Sequence, residues 1–154
     1  MTSVNMRRSQ AILRMPVEHI TATMVLHDGE RAEVVLFLPP TEDIAHLLGP
    51  SGPRFISMIF GSGVSLVARD AVAALGVPAV AVIALDGDLP IERQRASVKL
   101  RSGVVLEGEL RWTAPFGEQC MSDFLNTDAT SLELHAPNMT HHIVKAHVAR
   151  VDER

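Results

Sequence analysis

The chain has 154 residues, of which 47% are hydrophobic and 21% charged, and its formal net charge is −4. This composition excludes general disorder, because it supplies ample apolar material for a core. The negative charge argues against a dedicated nucleic-acid binder, which usually has a basic surface. The single cysteine excludes an internal disulfide and is typical of a reducing compartment.

The first residues of the chain carry no targeting signal that we recognise. Residues 1–15 contain three arginines but no apolar run of the kind that forms a signal-peptide core. No stretch of the chain approaches the roughly 18 apolar residues that a membrane helix needs. We therefore predict a cytoplasmic protein that does not insert into membranes, with residues 1–15 as an N-terminal extension.

An internal repeat is the main feature of the chain. Residues 16–26 align without a gap with residues 90–100, an offset of 74 (90 − 16). Leu47-Leu48 later align with Phe124-Leu125, and residues 67–73 with residues 143–149. Because these matches keep their order, we predict a tandem duplication. The predicted parts are the extension 1–15, a first β-barrel repeat 16–78, a connecting strand or linker 79–89 and a second β-barrel repeat 90–154.

The first repeat has the pattern of short strands and turns. Apolar residues alternate before and after Asp28-Gly29, and this pattern predicts a β-hairpin because glycine supplies the positive φ of a tight turn. The loop that contains Leu47-Leu48 is predicted to form one short helical turn. Strands follow at residues 55–59 and around a Gly61-Ser62-Gly63 turn, with a bend at residues 69–71.

The second repeat predicts the same elements and a specific strand register. Val98, Leu100, Leu106 and Leu110 share one face only if the turn between them has an odd number of residues, which we assign to residues 102–104. This register places Lys99 opposite Glu107, with Glu109 near Ser97. A helical turn near Phe124-Leu125, a strand at residues 131–135 and a bend at residues 145–147 complete the repeat. The predicted fold class is all-β, with two tandem five-stranded barrels.

Two segments of the second repeat resemble the motifs of a known family. Residues 98–110 are similar to the first motif of the Sm-like domains (Sm, LSm and Hfq proteins), in which a strand, a glycine turn and a second strand follow each other. Residues 142–151 are similar to the second motif, whose basic turn links the last two strands. Residues 122–126 also resemble a string found in small bacterial β domains. The resemblance implies an Sm-like or SH3-like small barrel and raises the possibility of RNA binding.

A row of basic residues is the candidate nucleic-acid site. Alternate positions of one predicted strand carry cations that share a face and could follow phosphates, and the resemblance adds the basic turn. These residues are Arg93, Arg95, Lys99, Arg101, Lys145 and His147. The predicted register sets carboxylates against the row, and neither repeat is basic overall, so net charge disfavours RNA.

Catalytic and metal-binding patterns are not evident in the sequence. His141 and His142 are adjacent on a strand and point to opposite faces, so at most one of them could join His135 in a metal site. Cys120 has acidic neighbours that disfavour a catalytic thiol. We therefore predict no enzyme activity, no metal and no cofactor.

Apolar residues on the outside of the first repeat indicate that its second face is covered. Val25, Val35 and Phe37 point away from the predicted barrel interior, and the cover is the other repeat, a strand at residues 80–85 or a separate subunit. Packing of the two repeats on each other is the simpler interpretation, and a partner surface is the alternative. Together with the two helical loops they form the predicted partner-binding set: Val25, Val35, Phe37, Leu47, Leu48, Phe124 and Leu125. The expected function is a non-catalytic protein-interaction or scaffold module, either an accessory subunit of a larger assembly or a homo-oligomer. The alternative is an Sm-like RNA-binding protein.

Overall fold

The computed structural model describes residues 18–39, 42–79, 91–113 and 120–154. These residues form ten strands in one antiparallel sheet and two short α-helices, which confirms the all-β prediction. The strands are β1 (Glu18–Leu26), β2 (Arg31–Leu38), β3 (Phe55–Phe60), β4 (Gly63–Ala68), β5 (Val72–Pro78), β6 (Ile91–Leu100), β7 (Val105–Thr113), β8 (Ser131–His135), β9 (Met139–Val144) and β10 (Val148–Glu153). The helices are α1 (Ile44–Leu48) and α2 (Met121–Leu125). The predicted extension 1–15 and residues 80–89 of the predicted linker lie outside the described residues.

The sheet has the order β10-β6-β7-β8-β9-β5-β1-β2-β3-β4. We call β1–β5 with α1 the first unit (residues 18–79) and β6–β10 with α2 the second unit (residues 91–154). Each unit runs in the same spatial order, with its fifth strand first, followed by its first to fourth strands. The two units join where β5 pairs with β9.

Two matching hairpins open the units. The amide of Gly29 donates to the carbonyl of Leu26, and that of Gly103 donates to the carbonyl of Leu100, both at 2.9 Å. Each glycine has a positive φ, 92° and 97°, which L-residues rarely adopt. The glycine closes a three-residue loop, so the predicted odd-numbered connection is confirmed.

The predicted loop of the second hairpin is displaced by one residue, and every predicted cross-strand pair is therefore wrong by two residues. The loop is residues 101–103, and Lys99 lies opposite Val105 instead of Glu107. Glu107 lies opposite Ser97, and Glu109 opposite Arg95. The reason is that glycine must occupy the last position of such a loop, where φ is positive, whereas the prediction placed it in the middle.

Each unit contains a short helix and a 3₁₀ turn that are connected to the rest of the unit by specific hydrogen bonds. The Asp43 side chain accepts a hydrogen bond from the His46 amide at 2.7 Å and so caps α1. The predicted bends at residues 69–71 and 145–147 are single 3₁₀ turns. In the first turn an Arg69 nitrogen donates to the Gly52 carbonyl at 2.9 Å, and in the second the Lys145 ammonium donates to the Leu125 carbonyl at 2.9 Å. In both units a basic side chain thus fastens the loop that follows the helix.

Each unit has its own apolar core. Met24, Leu36 and Met58 are fully buried in the first core, and Leu110, Leu134 and Ile143 in the second. Three residues of the first unit, Val25, Ala73 and Ala74, belong to the second core. Because the sheet is continuous, the outer side of the first unit at β5 becomes the inner side of the second unit at β9. No helix within the described ranges is long and apolar enough to cross a membrane.

Candidate protein-interaction surface

The outer face of the first unit carries a band of apolar side chains that runs from β2 to its last strand, β4. Val35 lies opposite Ile59, and Ile59 lies opposite Val64, so one row of apolar side chains crosses β2, β3 and β4. Leu66 and Phe55 lie on the same face of β4 and β3. We call these residues, with Phe37 of β2, the apolar outer face: Val35, Phe37, Phe55, Ile59, Val64 and Leu66.

The apolar outer face ends at an open sheet edge. β4 pairs with β3 on one side, and no strand among the described residues pairs with its other side. Phe55, Val64 and Leu66, at or next to this edge, are 60%, 68% and 69% exposed. An edge strand with unpaired backbone groups and exposed apolar side chains is a template for another strand.

The second unit has polar residues where the first has the apolar outer face. The alignment pairs Val35 with Glu109 and Phe37 with Arg111 at an offset of 74, and β3-β4 with β8-β9 at an offset of 76. The positions equivalent to Phe55, Ile59, Val64 and Leu66 are Ser131, His135, Thr140 and His142. The apolar character therefore belongs to the first unit and is absent from the aligned positions of the second.

The partner-binding residues predicted from the sequence fall into three groups. Val35 and Phe37 are half-buried members of the apolar outer face, and the Phe37 ring meets His19 edge-on, with 4.9 Å between ring centroids. Val25 is 4% exposed, because the second core covers it. The cover that Val25 required is thus the other half of the same chain.

The helical loops require a correction. Leu47 and Leu48 are each 5% exposed and belong to the first core, so they cannot contact a partner in the folded chain. Their apolar side chains form the inner face of α1, which the prediction had placed in an exposed loop. Phe124 and Leu125 are half-buried against the second core, and Phe124 stacks on Trp112 with 5.2 Å between ring centroids.

The predicted basic row lies on the outer face of the second unit, with further charges from β7 and β10. On β6, β7 and β10 the registers place six cations and three carboxylates on this face, a sum of +3 (6 − 3) for these three strands. They are Arg93, Arg95, Lys99, Arg111, Arg150 and Arg154, with Glu107, Glu109 and Asp152. Each carboxylate pairs with one arginine: Glu109 with Arg111 at 2.7 Å, Asp152 with Arg150 at 3.0 Å and Glu107 with Arg154 at 2.9 Å.

Three cations of this face have no ion pair within the described residues, namely Arg93, Arg95 and Lys99. The neighbouring Arg111 holds the pKa of the Glu109 carboxyl below its ordinary value, chiefly by donating a hydrogen bond to it. The carboxylates therefore neutralise fewer of the cations on this face than the sequence predicted. The reasons are that the strand register differs from the predicted one and that β10 adds cations.

The other predicted RNA-binding residues are used inside the fold. Besides Leu125, the Lys145 ammonium donates to the carbonyl of Thr127 at 3.2 Å, and desolvation lowers its pKa below the ordinary value. Arg101 donates to the Ala146 carbonyl at 2.8 Å. His147 Nε2 lies 2.8 Å from the Asp70 carbonyl oxygen, so it links the 3₁₀ turns of the two units.

Two histidines and one carboxylate meet on the same side of β8 and β9. Glu133 lies 3.6 Å from His135 Nε2 and 3.7 Å from His142 Nδ1, while His141 points to the opposite side. Burial lowers the pKa of His142 below its ordinary value, and Glu133 offsets part of this shift. Burial also lowers the pKa values of His135 and His141. No group of three or more side chains suited to a metal ion occurs in the described parts of the chain.

Cys120 lies at the N-terminus of α2, where its thiol donates to an Asp123 carboxylate oxygen at 2.8 Å. The side chain is exposed. Within the described residues the second polar group near the thiol is the Ser122 hydroxyl at 3.9 Å.

Sequence reasoning missed four members of the apolar outer face: Phe55, Ile59, Val64 and Leu66. A signal for them was present, because β4 reads Gly-Val-Ser-Leu-Val-Ala and has apolar residues at both alternating positions.

Comparisons with protein-family models, curated proteins and solved structures give no match for this chain.

Proposed function

We propose that the chain is a non-catalytic protein-interaction module, built from two copies of an Sm-like or SH3-like unit, that binds protein at the β4 edge and the apolar outer face. The single observation that carries this proposal is the row of exposed apolar residues that reaches an open strand edge. Burial of apolar area is the main driving force of protein association, and an open edge adds main-chain hydrogen bonds.

The duplication of the unit is supported by details of geometry as well as by the alignment. The two hairpins have equivalent hydrogen bonds and glycine φ values, and the strands of the two units have the same spatial order. The basic residues Arg69 and Lys145 fasten equivalent loops. We infer that the units derive from one ancestral domain and that its role is structural, in a cytoplasmic scaffold or accessory subunit.

Affinity capture of the tagged full chain at native expression level tests this proposal. Leu66→Lys places a charge at the middle of the β4 edge, and Ile91→Lys is a matched control, since Ile91 is exposed on β6 away from this face. We expect the wild type and the control to bring down a stoichiometric protein, either another protein or an untagged copy of the chain, that Leu66→Lys loses. A wild-type chain that purifies without any companion would contradict the proposal.

RNA binding is a second candidate, favoured by the three cations that lack an ion pair. Single-stranded RNA would track Arg93, Arg95 and Lys99 along β6, with affinity that falls as salt rises. The test is retention of a labelled RNA oligonucleotide at about 50 mM salt by the wild type and by the double variant Arg93→Glu, Arg95→Glu. Lys145→Ala is a poorer probe, because Lys145 fastens a loop. Absence of binding by the wild type at this salt concentration would remove the candidate.

A further inference from the structure

The outer face of the first unit has an area without charged side chains that is wider than the apolar outer face. Ten residues of β1 to β4 share this area, because the strand registers place them on the same side of the sheet. None of them is Asp, Glu, Lys or Arg. We call these ten residues the charge-free zone: His19, Thr21, Val35, Phe37, Phe55, Ser57, Ile59, Val64, Leu66 and Ala68.

The ten aligned positions of the second unit include five charged side chains. At offsets of 74 and 76 they are Arg93, Arg95, Glu109, Arg111 and Glu133. The second unit forms the same strands in the same spatial order with these charges in place, so the fold does not require a charge-free outer face. We therefore attribute the charge-free zone to recognition of a partner.

We propose that this partner is a second copy of the chain, with the first unit of each copy packed face to face about a two-fold axis. This inference rests on the proposed function and names the partner. The same zone serves both copies, so the contact closes at a dimer and does not propagate. Two sheets that pack in this way lie about 10 Å apart.

The absence of charge favours a second copy over a different protein. Interfaces between independently stable proteins are about as polar as the rest of the surface, whereas homodimer interfaces are more apolar and have few charges at the centre. A zone without charge can also face its own copy without repulsion. The outer face of the second unit, with its sum of +3 on β6, β7 and β10, would meet an equal charge in such a contact. The dimer contact is therefore confined to the first unit.

The size of the charge-free zone suits the centre of a stable interface. Phe55, Val64 and Leu66 are 60%, 68% and 69% exposed, so most of their apolar area is available to a partner. A standard interface has about 20–30 residues a side, arranged as a dry centre and a polar rim. The ten residues of the zone supply the centre. Arg31 and Glu33, which are exposed on the same face of β2, supply part of the rim.

The second unit provides the variant that tests the proposal. Val35→Glu with Phe37→Arg gives the first unit the residues that the second unit has at the aligned positions, where Glu109 and Arg111 form an ion pair at 2.7 Å. The net charge is unchanged, and the second unit shows that the fold accepts this pair. Sedimentation equilibrium of the purified full chain at micromolar concentrations measures the dimer. We expect the double variant to raise the Kd of the dimer at least about 100-fold, because each change acts on both sides of the contact.

Leu66→Lys is the second variant and Ile91→Lys the control in the same measurement. Leu66 is exposed in the single chain, so its replacement tests the contact even if the double variant fails to fold by circular dichroism. We expect Leu66→Lys to weaken the dimer and Ile91→Lys to leave it unchanged.

A cross-link in the Cys120→Ser background tests the geometry independently. Ser57→Cys places an exposed thiol within the charge-free zone, and Glu133→Cys places one at the aligned position of the second unit. A bismaleimide that spans about 10 Å should join two copies through position 57 at a yield several-fold above position 133.

Three results would overturn the inference. They are a wild-type chain that stays single at every concentration, equal cross-linking yields at the two positions, and a dimer that neither the double variant nor Leu66→Lys weakens. The proposed function fails separately. If the purified chain is single but a different protein is still captured through Leu66, the proposed function stands and the second copy is excluded. If neither is found, both fail.

Discussion

Replacement of Lys145 by methionine distinguishes a structural cation from an RNA-binding one. In the structure the Lys145 ammonium donates to Leu125 and Thr127 carbonyl oxygens at 2.9 and 3.2 Å, and to the Thr127 hydroxyl at 3.3 Å. Methionine keeps most of the apolar stem but has no donor. The variant Lys145→Met therefore removes the bonds that fasten the loop after α2 and leaves the packing of the stem almost unchanged.

The expected loss of stability follows from these three contacts. A hydrogen bond that involves a charged group contributes about 1.5–3 kcal/mol net, and one ammonium shared among three acceptors makes one or two such bonds effective. The variant also gains stability, because the side chain is no longer held in one conformation; this gain in conformational entropy offsets up to about 2 kcal/mol of the loss. We expect Lys145→Met to lower the free energy of unfolding by about 1–2 kcal/mol.

Urea denaturation followed by tryptophan fluorescence measures this change. Trp112 is the single tryptophan and stacks on Phe124 of α2, so it reports on the region that Lys145 fastens. Lys99→Met is the control, because the Lys99 side chain has no hydrogen-bond partner within the described residues. This variant should change the free energy of unfolding by less than about 0.5 kcal/mol. Lys145→Arg should restore most of the loss, because Arg69 has this role in the first unit. Wild-type stability in Lys145→Met would refute the structural role.

Further predictions concern the turn, the core and the histidines. Gly103→Ala should destabilise the chain by about 1–2 kcal/mol because of its positive φ, whereas Gly63→Ala, with open space around it, should not; thermal unfolding of both variants checks this. Leu47→Ala should cost about 2–5 kcal/mol in urea denaturation, and Leu66→Ala much less within a single chain. Equal costs would contradict the burial difference. Burial lowers the pKa of His142, so the unfolded state binds more protons and stability should fall as pH falls from 7 through the ordinary value near 6.5. His142→Leu should flatten this dependence in urea titrations between pH 7 and 5, and an unchanged slope would contradict it.

The alternating apolar pattern was enough to predict the strands and both hairpins. Residues 131–135 were predicted as a strand and form one, and the bends at residues 69–71 and 145–147 are 3₁₀ turns. Local rules govern these features, since alternation and glycine turns act over a few residues. The position of Gly103 within its loop was a local detail that the parity argument could not fix, and it changed every cross-strand pair of the hairpin.

The docking of the two units depended on long-range pairing that the sequence pattern did not show. The β5–β9 pairing decides that Val25 is buried by the second core, and that β4 and β10 are outermost. Leu47 illustrates the same limit in a single residue. From the sequence alone, an apolar residue in a predicted loop is compatible with an exposed partner-binding position and with a buried core position. The orientation of α1 in the fold decides between the two.

Native mass measurement of the full chain, purified at native expression level from its source cells, tests the central claim most directly. We predict a complex heavier than one chain for the wild type and for Ile91→Lys, whether the companion is another protein or a copy of the chain, and the mass of a single chain for Leu66→Lys, because the charge blocks the β4 edge. A wild-type chain recovered alone, or a complex that Leu66→Lys leaves intact, would contradict the claim.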